Sequence, residues 1–251
     1  MTNPRDDRSE ERSSGPEDRH RFRKALQELE DGTLDALELV VAQLERALEA
    51  ITYQDIELAG MVVADDSQID RRYVEVHRGI LSLLAHQATP TDELRIATAL
   101  LHTLRCVERM GDQCANIAKL VPLSGHAPPK DKDILDAIER MGHLARSQTM
   151  AVREAFATRN LGLARDLVRQ DSEINRLNRA IFRRAVEVGD NLEMREWAMF
   201  MILVARCLER IGDNTVDIAG QVVFVITGLF WEPSVTATEA EPSPPPTQDW
   251  S

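Results

Sequence analysis

The twelve residues from Val107 read VERMGDQCANIA, and the twelve from Leu208 read LERIGDNTVDIA. Over Leu104–Val121 against Ala205–Val222, an offset of 101 residues, nine of 18 positions are identical. A chain that writes one phrase twice folds as two copies of one unit. The phrase also sets the element type. Ile96, Leu100, Thr103, Val107, Met110, Cys114, Ile117 and Val121 fall on Trp197, Met201, Val204, Leu208, Ile211, Thr215, Ile218 and Val222. Both sets advance by alternating steps of four and three, which is the seam of a helix packed in a bundle.

The same periodicity runs through most of the chain. It predicts helices over about 22–51, 54–88, 91–121, 133–158, 162–188 and 192–227. The string TPTDE supplies a cap and an acidic first turn for the third helix, PLSGHAPPKD breaks the chain after it, and Gly228 ends the sixth. Helices joined by short turns pack as antiparallel neighbours. The expected fold is therefore all-α, two tandem antiparallel three-helix bundles with six long helices. A charged, apolar-poor N-terminal tail covers 1–19, the first bundle 20–123, a linker 124–131, the second bundle 132–230, and a Pro-rich tail 231–251; both tails are expected to be disordered.

Composition agrees and narrows the function. Only 4% of the 251 residues are aromatic, so the core is built from Leu, Ile, Val, Ala and Met, which suits helices. A net charge of −12 argues against a nucleic-acid face, which needs clustered cations, and favours basic partners or metal cations. Three cysteines without a CxxC read as reduced thiols, with Cys106 and Cys207 as small core residues at equivalent positions. The N-terminus has no apolar signal region, and VVFVITGLFW is too short to cross a bilayer. A soluble, cytoplasmic protein is expected.

The acids carry the chemistry. Glu108, Asp112 and the amide Asn116 stack at i, i+4, i+8 on a face turned away from the seam, and Glu209, Asp213 and Asp217 repeat the stack. The second helix adds Asp66 and Asp70, and the fifth adds Asp171 and the amide Asn175. Each half thus offers four carboxylates and one amide on consecutive antiparallel helices. Carboxylates at i, i+4 repel one another, which a solvated face tolerates and a shared cation reverses. An all-oxygen set suits magnesium, manganese, calcium or iron, and the lack of a histidine disfavours a closed zinc site. Gly111 and Gly212, costly inside helices, read either as close helix packing or as room for a cation or partner beside the acids. Arg105, Arg109, Arg206 and Arg210 border the acids and read as surface ion pairs or else as a phosphate-binding set; Trp197 and Trp231 read as packing residues, Trp231 alternatively as part of a contact surface.

DSQID followed by ERMGDQCANIA, and DSEIN followed by ERIGDNTVDIA, resemble the PhoU family of phosphate-uptake regulators, over about Phe22 to Gly228. The resemblance implies two three-helix bundles and, in some members, multinuclear iron or zinc clusters on the acidic faces. Its E/DxxxD pattern matches Asp66 with Asp70, Glu108 with Asp112, and Glu209 with Asp213. Asp171 with Asn175 departs from it, with Asp217 as a compensating acid. It further implies a regulator that restrains phosphate uptake and the phosphate-starvation response by contact with the transporter's ATPase subunit and a membrane sensor histidine kinase. We expect a non-enzymatic protein with iron or zinc, or else manganese or magnesium, that meets membrane complexes peripherally, forms a homodimer and binds no nucleic acid. Two readings compete. One is a metal-free helical adaptor docking a basic surface. The other is a di-iron carboxylate enzyme, whose chemistry needs ExxH motifs in a bundle core, whereas the only one here is Glu17–His20.

Overall fold

A computed structural model gives the fold; it describes residues 16–86, 90–125 and 127–230, with residues 16, 86 and 168–171 described by backbone alone. Six long helices follow one another: α1 Pro16–Tyr53, α2 Ile56–His86, α3 Thr91–Leu120, α4 Lys132–Thr158, α5 Leu161–Glu187 and α6 Leu192–Thr227, with a 3₁₀ turn at Pro122–Ser124. No strand occurs among the described residues. α1, α2 and α3 pack on one another as one bundle, and α4, α5 and α6 as a second. The expected seam is the core: of its sixteen residues only Ile96 is not fully buried.

α1 shows why these helices form. Phe22, Leu26, Glu30, Thr33, Leu37, Val40, Leu44, Ala47 and Ile51 advance by threes and fours and are all buried. Its start corrects the sequence reading. Pro16–Arg19, assigned above to a disordered tail, form its first turn, with Glu17 and Asp18 at the positive end of the helix dipole. Glu17 and His20 stand exposed there, away from the bundle core. The cap expected from TPTDE is also corrected: the residue ahead of α3 is Pro90, which makes no side-chain cap, although Asp92 and Glu93 supply the acidic turn. Residues 1–15 and 231–251, and with them Trp231, lie outside the described residues.

The duplication reaches the turns. Among the described non-glycine residues only Gln54 (φ 59°) and Arg159 (φ 53°) adopt the left-handed conformation, and they are the same position in the two halves. The next residue in each case caps the following helix: Asp55 accepts the Leu58 N–H at 2.9 Å, and Asn160 the Leu163 N–H at 3.0 Å. α2 has 31 residues and α5 has 27, so α2 is about one turn longer. That extra turn is why the offset is 105 for the first two helices of each half and 101 for the third.

The bundles meet through α3 with α6 and α1 with α4. α3 and α6 run antiparallel: Asp217 lies beside Arg109 and Cys106, Cys114 lies near Cys207, and Arg95 packs against Gly228. α1 and α4 are joined by a ladder of ion pairs that also runs antiparallel, Glu30 with Arg159 (2.6 Å), Glu38 with Arg153 (2.5 Å) and Glu45 with Arg146. At Gly142 the two helices approach so closely that a Cβ would stand 2.4 Å from Leu48.

Candidate functional site

The first acidic face forms where α2 lies against α3. Ile69 packs into the gap left by Gly111, whose Cβ would sit 2.8 Å from the Ile69 Cδ1 and 3.1 Å from the Asp66 Oδ1. Gly111 therefore serves the close packing read from the sequence: it lets the helices close, with Ile69 and the Asp66 carboxylate against it. Asp66 and Glu108 are half-buried, while Asp70, Asp112 and Asn116 are exposed. Burial raises the Asp66 carboxyl above its ordinary range; a hydrogen bond from Gln43 opposes this, and Asp112 and Asp70 push it further up. Burial likewise raises Glu108, with Arg105 opposing and Asp112 and Asp70 adding to the rise. The four carboxylates expected in the first half thus share one field, crowded with negative charge and partly stripped of water.

The second face is built on α6. Glu209 is paired with Arg206, as Glu108 is with Arg105 at 2.9 Å. Although Asp213 and Asp217 are both solvent-exposed, surrounding protein removes enough hydration to raise both carboxyls. Arg206 and Arg210 oppose the rise at Asp213; at Asp217, Asp213 adds to it and Arg109 of the first half opposes. Asn175 is half-buried on α5, and the Asp171 side chain lies outside the described residues. Among the described residues no three His, Cys, Asp or Glu side chains gather as a ligand set.

Sequence reasoning missed two glutamines. Gln43 on α1 is 2% exposed; its Nε2 donates to the Asp66 Oδ1 at 3.3 Å and to the Val62 carbonyl at 3.2 Å, while its Oε1 has no partner. Gln148 occupies the same place on α4, 23 residues before Asp171 as Gln43 is before Asp66. It is 1% exposed, and among the described residues neither of its amide atoms has a partner. The signal was available as that shared spacing, but it lies on helices without the repeated phrase. The three thiols are free. Burial pushes Cys106 up to about 12 and raises Cys114 and Cys207, which disfavours their thiolate forms.

Carboxylates that burial raises above their ordinary range, with an amide donating to one of them, are groups whose charged form a hard cation would favour. The fold and site thus define an internally duplicated six-helix protein with an acidic face on each bundle. A family profile described as the PhoU domain matches residues 33–121 and 138–222. The chain is 32% identical over 189 residues to a phosphate-specific transport system accessory protein PhoU homolog of Caulobacter vibrioides, covering 74% of this chain and 81% of that one. It is 28% identical over 211 residues to the homolog of Clostridium acetobutylicum, covering 82% and 94%. The crystal structure of the phosphate transport system regulatory protein PhoU from Streptococcus pneumoniae shares the fold, with a TM-score of 0.76 at 24% identity over 84% of this chain and 99% of that one. The chain belongs to the PhoU family.

Proposed function

We propose that this protein is a non-enzymatic, cytoplasmic regulator of inorganic phosphate uptake and of phosphate-starvation signalling. It acts by binding the ATPase subunit of a phosphate transporter, a sensor histidine kinase, or both, as a homodimer associated peripherally with those membrane complexes. Its relatives are named accessory proteins of the phosphate-specific transport system. No helix among the described residues is long and apolar enough to cross a membrane, so contact with such a complex would be peripheral. The observation that carries the reading is the duplicated acidic face: Asp66, Asp70, Glu108 and Asp112 in one field, with Glu209, Asp213 and Asp217 at the repeated positions. Iron or zinc, or else manganese or magnesium, would neutralise each face and hold α2 against α3 and α5 against α6, and a partner would read that geometry. Asp66, Asp70, Glu108 and Asp112 would hold the cation in the first half, with Asn116 at the rim. Asp171, Asn175, Glu209, Asp213 and Asp217 would do so in the second.

A second reading has its own support. Because no three ligand-type side chains converge among the described residues, the faces also suit a metal-free adaptor that docks a basic surface. One experiment separates the two. Metal per chain is measured by plasma mass spectrometry on untagged protein, in the natural sequence and in the Asp112→Ala, Asp213→Ala double variant. Binding to the transporter ATPase subunit is followed with and without chelator and across salt. The metal reading expects more than one equivalent, its loss in the double variant with helicity intact, and chelator-sensitive binding. Unchanged metal content in the double variant, or binding that responds to salt alone, replaces it with the adaptor.

A further inference from the structure

The second bundle carries an open apolar hollow on its surface. Between α5 and α6 lies a hollow of about 600 Å³ lined by Asn178, Arg179, Phe182, Arg183, Leu203 and Arg206, with Ile202 at its edge. Its apolar groups are in the open: Phe182 is 56% exposed and Leu203 51%, and Val186 and Met199, one turn on along each helix, extend the strip at 75% and 67%. The duplication provides an internal control. The residues at the positions of Phe182, Met199 and Leu203 in the first half are His77, Thr98 and His102. These three positions are apolar in the second half alone, whereas Val186 corresponds to Leu81, itself 52% exposed. A contiguous exposed apolar strip marks a contact surface.

The rim states what kind of occupant fits. Arg206 is paired with Glu209, but among the described residues neither Arg179 nor Arg183 has an ion-pair partner. In a chain of net charge −12 this is a local basic rim around an apolar floor. A second copy of the chain fits poorly, because a two-fold contact through this strip would set Arg179 and Arg183 against their own counterparts. The chain's own C-terminal segment has the complementary composition. Residues 231–251 contain Glu232, Glu239, Glu241 and Asp249, no Lys or Arg, and the apolar Val235, Trp231 and Trp250. Reach is sufficient. From Thr227 back to Leu203 along α6 is about 36 Å, and the 21 residues of the segment extend to about 70 Å.

We propose that the groove between α5 and α6 binds residues 231–251 of the same chain, its Trp and Val side chains on the Phe182–Leu203 floor and its acids on Arg179 and Arg183. The inference is independent of whether the acidic faces hold metal.

The test uses the full chain with Phe182→benzoylphenylalanine, irradiated at low concentration, with equal amounts of ordinary and isotope-labelled protein mixed beforehand. Cross-links from position 182 to residues 231–251 within one isotope type are expected. Arg179→Glu with Arg183→Glu should cut their yield by about fivefold, and adding Glu239→Arg with Glu241→Arg should restore it. Absence of cross-links to residues 231–251 overturns the proposal, and so does their occurrence mainly between isotope types. A groove that yields no such cross-link yet gives Phe182-dependent sedimentation with anionic lipid vesicles would belong to a membrane surface instead.

Discussion

Gln54 and Arg159 hold the same left-handed turn at the same point of the two bundles, and they do different work there. Gln54 turns toward its own half. Its Nε2 lies at donor distance from the Val121 carbonyl (2.6 Å), the Gly125 carbonyl (2.7 Å) and the Ser124 hydroxyl (2.9 Å), which ties the first bundle to the start of the linker. Arg159 turns the other way. It grips the buried Glu30 carboxylate of α1 with both terminal nitrogens, at 2.8 and 2.6 Å, and lies 5.0 Å over the Phe156 ring. A duplicated fold keeps what the backbone demands, here a turn and a cap, and leaves the side chain at that turn to make different connections. The same division separates core from surface elsewhere: seam and acids repeat, while Phe182 stands where the first half has His77.

The largest effect should come from where the halves are alike. Met110 and Ile211 are equivalent, fully buried seam residues on the two helices that join the bundles. Met110→Ala and Ile211→Ala should each cost about 2–5 kcal/mol through lost burial and the cavity left behind. Because α3 packs against α6, both should shift one cooperative thermal transition by similar amounts. Two transitions in calorimetry, with each variant moving only its own, would show bundles that unfold independently and would limit the likeness to architecture.

A somewhat smaller change tests the divergent turn. Arg159→Gln puts the first half's residue into the second. The turn conformation is kept, but Glu30, whose side chain is 5% exposed, loses its bidentate cation. The expected cost is roughly 1.5–3 kcal/mol, read from denaturant midpoints. Glu30→Gln added to that variant should recover part of the loss, since the stranded charge is then gone. No cost for Arg159→Gln would mean that the α1–α4 ladder is ornamental, and that Gly142 against Leu48 holds the bundles together by packing alone.

The glutamines sharpen the comparison at the acidic faces. Gln148 is buried with no partner among the described residues for either amide atom, whereas Gln43 spends its N–H on Asp66 and Val62. In metal-free protein, Gln148→Leu should therefore raise stability by about 1–2 kcal/mol, and Gln43→Leu should raise it less or not at all. If the faces hold cations, both variants should also weaken metal retention by about tenfold, as the loss of a group orienting a ligand does. Stabilisation without any effect on metal would leave the glutamines as buried polar residues with no part in the site.

How far the sequence foretold this structure follows from what carries periodicity. The six helices, the duplicated bundle and the outward turn of Glu108, Asp112 and Asp213 were readable because seam and acid stack both advance in helical steps. The first turn of α1 was missed because Pro16–Arg19 has no apolar residue to mark a phase, although a proline followed by two acids is itself a helix-start signal. The nearness of Asp66 to Asp112, and of Glu108 to Asp70, could be guessed from antiparallel adjacency. The roles of Gln43 and Arg159 could not, because each depends on a residue of another helix, reached across packing that a single stretch of sequence does not encode.

The smallest effect is the most exacting test of equivalence. Asp55 and Asn160 follow the left-handed turn in their respective halves, and each accepts the N–H three residues on, at nearly the same distance. One is a carboxylate and the other an amide, so a cap that depends on shape alone should be worth the same in both. Asp55→Ala and Asn160→Ala should each cost about 1 kcal/mol, since each leaves a helix N-terminal donor without its acceptor. Measured side by side by chemical denaturation, equal losses would mean that the duplicated turn is a geometric unit indifferent to charge. A clearly larger loss at Asp55 would mean that its carboxylate also works through the α2 dipole, so that the first half leans on an interaction the second has given up.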